Sequence, residues 1–101
     1  MTVAVYVLAQ LTVHDRARYG EYVRRFLPIL ARFGGRLLAA DDAARVLEGS
    51  WDRHRVVLLE FASEEAFTAW SSSEAYREIA VDRLAGAEGP ILLIHGVAPR
   101  P

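Results

Sequence analysis

Between Val13 and Asp15 the apolar residues of this chain change their period, and that switch limits the fold more than any other feature. Before it they alternate. Val5, Val7, Ala9, Leu11 and Val13 fall on one side of an extended segment, and Tyr6, Leu8, Gln10 and Thr12 on the other. After it, Tyr19, Tyr22, Val23, Phe26, Leu30 and Phe33 recur at steps of three and four, which predicts a helix with one core-facing stripe. Asp15 suits its N-cap, and Gly34-Gly35 its end. Pro28 lies inside that helix and predicts a kink, because it removes one backbone hydrogen bond.

The chain then returns to extended segments. Arg36 to Ala40 reads as a second strand, Asp41-Asp42 as a turn and Val46 to Glu48 as a short extended piece. His54 to Phe61 reads as a third strand, whose run Val56-Val57-Leu58-Leu59 predicts cover on both faces. Ser63 caps a second helical region with Ala66, Phe67 and Trp70 inward. Ser71-Ser72-Ser73 interrupts it, and Glu74 to Leu84 resumes it, burying Tyr76, Ile79, Ala80 and Leu84. A loop at Gly86 to Pro90 leads to a last strand, Ile91 to Val97, and a loose tail, residues 98–101.

Strand, helix, strand, strand, helix, strand is the split βαβ order, so the fold class expected is α+β, a ferredoxin-like βαββαβ unit with an antiparallel sheet. The length of 101 residues allows one such domain, residues 1–101. Two helices cover one face of the sheet. The other would expose Leu8, Val56, Leu58, Ile91 and Leu93. Closure of that face by a second copy is the simplest remedy, and it predicts a homodimer, a dimeric α+β barrel, with a cavity between the two sheets.

Composition excludes several function classes. Twelve basic residues face thirteen acidic ones, for a net charge of −1, without a basic run, which argues against a nucleic-acid partner. Cysteine is absent, and with it disulfides, zinc–thiolate sites and thiol nucleophiles. No basic leader opens the sequence and no apolar run approaches a bilayer's width, so no membrane association and a cytoplasmic location are expected. The three histidines show no metal-ligand spacing, no glycine-rich loop follows a strand, and the triple serine lacks a nucleophile elbow. No metal and no cofactor are therefore expected.

Val5 to Ala9, Val13 to Asp15, Tyr19 with Tyr22, Gly34-Gly35-Arg36, Val46 to Gly49 with Trp51, Arg55 to Phe61, Ala69-Trp70 with Ser73 and Tyr76, and Leu92 to Val97 together resemble a known family, the domain of unknown function 1330. The resemblance spans nearly the whole chain. It implies a dimeric α+β barrel related to antibiotic-biosynthesis monooxygenases, muconolactone isomerases and small polyketide cyclases, and no particular reaction. Two positions depart from the family pattern: Ala40-Asp41-Asp42 stands where an arginine and glycines are usual, and His95 where a glutamate is usual.

The candidate chemistry follows from position. Glu60 follows four apolar residues inside a central strand, where a carboxylate is costly unless paired. It is a proton-transfer group, or the partner of Arg36, or a residue emerging at the strand's end. His95 in the last strand is either an acid–base group or a histidine held by Tyr6 or backbone. Both are expected to flank Tyr6 across the sheet. Tyr6, Gln10 and Arg36 would orient a substrate, with His54 at the strand's mouth. His54 and His14 also fit solvated turn positions. Trp70 and Tyr76, six residues apart, look like the aromatic pair of cofactor-free monooxygenases with this barrel, or else are core. Trp51 reads as a lid or interface anchor. The function expected is cofactor-free isomerisation, cyclisation or oxygenation of a small apolar or aromatic ligand, and the alternative is a non-catalytic dimer that binds a ligand or a partner.

Overall fold

The computed structural model describes residues 3–98. The expectations for the first two residues and for most of the tail lie outside them. Strand β1 (Val5–Val13) runs through the middle of the sheet. It pairs antiparallel with β3 (Arg55–Phe61), from Val5 opposite Phe61 to Leu11 opposite Arg55. On its other side lies β5 (Ile91–His95), from Val5 opposite His95 to Ala9 opposite Ile91. Strand β2 (Arg36–Asp41) joins the far edge of β3, with a bulge between Leu37 and Ala39. The order β2-β3-β1-β5 is ferredoxin-like, as the alternation of periods predicts. A two-residue strand, β4 (Ala87–Glu88), extends the β5 side beside Thr12 and Val13.

Three helices lie on one face. Helix α1 (Arg16–Arg32) is capped by Asp15, whose side chain accepts from the Arg18 amide at 3.1 Å. Gly34, at φ +75°, ends it. It continues through Pro28. The arginine whose carbonyl loses a partner there, Arg24, faces solvent, as Pro28 does, so water can replace the bond. Helices α2 (Glu64–Ser71) and α3 (Glu74–Gly86) are separate because the last serine of the triplet turns to cap the next helix: Ser73 accepts from the Tyr76 amide at 3.1 Å.

The core lies between this layer and the sheet. Val5, Val7, Leu11, Leu59 and Phe61 meet Tyr22, Phe26 and Leu30 of α1 and Trp70, Tyr76 and Ile79 of α2 and α3, all buried. Gly89 lets the β4–β5 link close on β1. Its φ is +143°, and a Cβ there would stand 1.9 Å from the Gln10 carbonyl oxygen.

Four local expectations are corrected. Val46 to Glu48 forms no strand, and Leu47 is 80% exposed, because nothing pairs with that loop. Val23 and Leu84 are exposed, since each sits a step outside its helix's covered stripe. Ala87–Glu88 pairs, where a loop was expected. The last strand is framed one residue differently. Ile91, Leu93 and His95 stand opposite Ala9, Val7 and Val5, on the helix side, and Leu92 and Ile94 take the uncovered face with Leu8, Val56 and Leu58. A run of four apolar residues carries no alternation that could have set this frame. Among the described residues no helix is long and apolar enough to cross a membrane.

Candidate functional site

The frame of β5 separates two residues expected to act together. Glu60 lies on the uncovered face beside Tyr6, where the Arg36 guanidinium donates to it at 2.8 Å. The pairing alternative read from sequence is thus the one present, and the carboxylate stays 22% exposed at its side chain. His95 lies on the opposite, helix-side face, its side chain 61% exposed and 2.9 Å from Glu64 at the start of α2. The two do not flank Tyr6. Gln10, also on the uncovered face, accepts from the Trp51 indole at 2.9 Å, which pins the loop before β3 over that end of the sheet. The His54 ring is turned back to the Val13 amide at 3.3 Å.

Trp70 and Tyr76 do come together, and on a cavity. One cavity of the single chain lies between the sheet and the helices, and a more open recess on the uncovered face is bordered by Leu8, Gln10, Trp51 and Val56. The cavity measures about 220 Å³ and is lined by Val7, Ala9, Leu11, Val57 and Leu59 from the strands, Tyr19, Tyr22 and Phe26 from α1, and Trp70, Tyr76 and Arg83 from α2 and α3. A cavity of about 150 Å³ suffices for benzene, so a substituted or fused ring fits here. The wall is almost wholly hydrocarbon. Besides Ser71, polar side chains enter at two places.

The first is a chain of three side chains. The Tyr22 and Tyr76 hydroxyls lie 3.0 Å apart, and Arg83 Nε donates to the Tyr76 oxygen at 3.2 Å. Burial, reinforced by the neighbouring Tyr76 hydroxyl, pushes the Tyr22 phenol far above its ordinary range, so it keeps its proton at any working pH. The second place is Arg55, at the start of β3. Its Nε donates to the Tyr19 hydroxyl at 3.0 Å and its Nη1 to Asp42 at 2.7 Å. Burial works against the Arg55 charge, but these two hydrogen bonds outweigh it and hold the guanidinium above its usual value. Asp42 is held below the carboxylate range, first by that hydrogen bond.

Trp70 completes the wall. It is 3% exposed, its ring centroid stands 4.0 Å from that of Tyr76, and its Nε1 donates to no described residue. A buried donor left so costs about 1–3 kcal/mol. Sequence reasoning singled out Trp70 and Tyr76 but expected a cavity between two facing sheets, and it did not single out Tyr19, Tyr22, Arg55 or Arg83 for this one. The tyrosines read as core stripe, although a hydroxyl in such a stripe needs a partner. Arg83 follows Tyr76 by seven residues, two helical turns on one face, and that spacing was the available signal. Among the described residues no three His, Cys, Asp or Glu side chains converge as a metal site.

The comparisons agree with the architecture. The model of a family described as a domain of unknown function, DUF1330, matches residues 4–97. No curated protein matches the sequence. Among solved structures, a protein of unknown function from Rhodopseudomonas palustris is similar at a TM-score of 0.83 and 20% identity, over 98% of this chain and 86% of that one. SnoaB, a cofactor-independent oxygenase from Streptomyces nogalater, is similar at 0.67 and 16%, over 98% of each chain. A DABB-family protein with a ferredoxin-like fold from Mesorhizobium loti is similar at 0.62 and 18%, over 97% and 99%. At these identities the likeness is one of fold.

Proposed function

The chain belongs to the DUF1330 family, and on that premise we propose that it is a cofactor-independent enzyme for a small, enolisable aromatic metabolite bound between its sheet and its helices. The observation that carries this reading is the Arg83–Tyr76–Tyr22 chain at the edge of an apolar cavity. A phenol oxygen has two acceptor sites and one proton to give. Arg83 fills one acceptor site of Tyr76, and in the arrangement proposed the Tyr22 hydroxyl, 3.0 Å away, donates into the other. The Tyr76 hydroxyl is then left to donate to a ligand oxygen.

That donor suits one chemical event. When an aromatic ketone or phenol loses a proton to water or a bulk base, negative charge gathers on its oxygen. Tyr76, polarised by the arginine behind it, stabilises that charge as an oxyanion donor in a nearly dry site. Removing one such donor typically costs about 10²–10³ in rate. Enolate or phenolate formation is the first step shared by isomerisation, cyclisation and cofactor-free oxygenation. The fold likeness to SnoaB, itself a cofactor-independent oxygenase, supports the class. Trp70 offers a flat surface to the ring.

The reading includes a homodimer. Leu8, Leu58, Leu92 and Ile94 share the face that no helix covers, and a second copy is the occupant that would match it.

Deuterium uptake at the acidic carbon of keto- and hydroxy-substituted naphthalenes and anthracenes, followed by mass spectrometry, tests the chemistry whatever step comes after. Wild-type protein is expected to accelerate exchange, and Tyr76→Phe to slow it by about 10²-fold or more. Binding without acceleration in the wild type would establish the non-catalytic alternative instead.

A further inference from the structure

Beside the aromatic cavity lies a second recess of about 380 Å³, and Tyr19, Val23 and Arg55 line both. Its character is opposite. Arg16 and Arg24 of α1, Arg55 and His54 border it, against one carboxylate, that of Asp42. Arg24 is spoken for, since Glu21 pairs with it one turn away. Arg16 has no ion-pair partner among the described residues. Arg55 uses Nε and Nη1 and, among the described residues, makes no further hydrogen bond through Nη2. Two guanidinium groups thus face an opening that holds only one fixed anion, in direct continuation of an apolar cavity.

Resting on the cavity reading above, we propose that the ligand is an aromatic carboxylic acid, whose ring occupies the cavity and whose carboxylate sits in this recess between Arg16 and Arg55. The guanidinium fork matches a carboxylate. Arg55 already donates from one nitrogen, Nη1, to the Asp42 carboxylate at 2.7 Å, so the recess accepts a carboxylate oxygen from a residue of its own. The surplus positive charge is small, which fits a monoanion better than a phosphate dianion. Tyr19 stands at the junction, held by Arg55 through both its hydroxyl and its ring, with the guanidinium carbon 5.3 Å from the ring centroid. It thereby fixes the distance between the two ends of the ligand.

Three probes of one ring system test this: 2-naphthoate, 2-naphthamide and 2-naphthyl phosphate, titrated against Trp51→Phe protein so that quenching reports Trp70 alone. The carboxylate is expected to bind about tenfold tighter than the amide, the scale of one charge-assisted hydrogen bond. Arg16→Gln, an exposed change in the first turn of α1, is expected to erase most of that preference, and Arg16→Glu to reverse it. Equal binding of acid and amide would refute the carboxylate subsite and leave the cavity standing. Tighter binding of the phosphate would refute the choice of anion. Failure of all three to bind would remove the cavity reading, and this inference with it.

Discussion

The ring centroids of Trp70 and Tyr76 lie 4.0 Å apart, yet the two residues belong to different helices. Six positions along one continuous helix would place them about 120° apart around its axis and about 9 Å apart along it. The break at Ser72-Ser73 turns the chain and brings both rings to one wall. Ser73 controls this contact, because its hydroxyl both donates to the Trp70 carbonyl, at 2.7 Å, and accepts from the Tyr76 amide.

Ser73→Ala is therefore expected to cost about 1 kcal/mol, the usual loss of an N-cap, and to weaken aromatic ligand binding as well. Ser73→Asp restores the cap but not the bond to the Trp70 carbonyl. Urea denaturation should show stability recovered in the aspartate variant. Calorimetry should show binding only partly recovered. Full recovery of both would mean that the cap alone sets the wall.

Tyr22 predicts a limit on alkaline stability. An unfolded tyrosine gives up its proton near pH 10, whereas buried Tyr22 keeps it far above that. Above pH 10 the unfolded state binds fewer protons than the folded one, so stability is whole below that pH and declines as pH rises. Absorbance titration should leave at least one of the four tyrosines protonated until the chain unfolds. Tyr22→Phe should flatten the alkaline decline. Four phenols titrating at ordinary values in folded protein would contradict this.

Glu60 and His95 supply the contrast. Neither borders the cavity. The double variant Glu60→Gln, His95→Ala is expected to bind aromatic probes within about twofold of wild type, since exposed pairs contribute about 0–1 kcal/mol. Tyr76→Phe should shift the same titration more. A double variant that loses binding outright would restore these two residues to the site.

How much of this could be read beforehand follows from which signals are periodic. The β1 face was legible because Val5, Val7 and Leu11 share one side while Tyr6, Gln10 and Thr12 make the other more polar. So were α1 and the caps Asp15 and Ser63, where local chemistry decides. The β5 face was not, since Ile91-Leu92-Leu93-Ile94 is apolar at every position and only pairing with β1 sets its frame. That one-residue ambiguity moved His95 from one side of the sheet to the other. The cavity stayed hidden for a related reason. Tyr19, Tyr22 and Phe26 satisfy a core pattern whether the space behind them is filled or open, and no spacing rule reports volume.

The uncovered face gives the last prediction. Leu8 stands opposite Leu58 on one side and Leu92 on the other, and Ile94 continues the row. Leu92, on the edge strand β5, is 47% exposed in the single chain. Sedimentation of the wild type should give twice the mass of one chain. Leu92→Asp would place two carboxylates in the contact, each costing on the order of 1–3 kcal/mol when buried without a partner. At about 1.4 kcal/mol per tenfold, dissociation should become easier by about a hundredfold. Its side chain points away from the helix layer, so the variant should keep its circular dichroism and its aromatic cavity. A wild type that sediments as a single chain, or a Leu92→Asp protein as firmly paired as the wild type, would show that something other than a second copy covers this face.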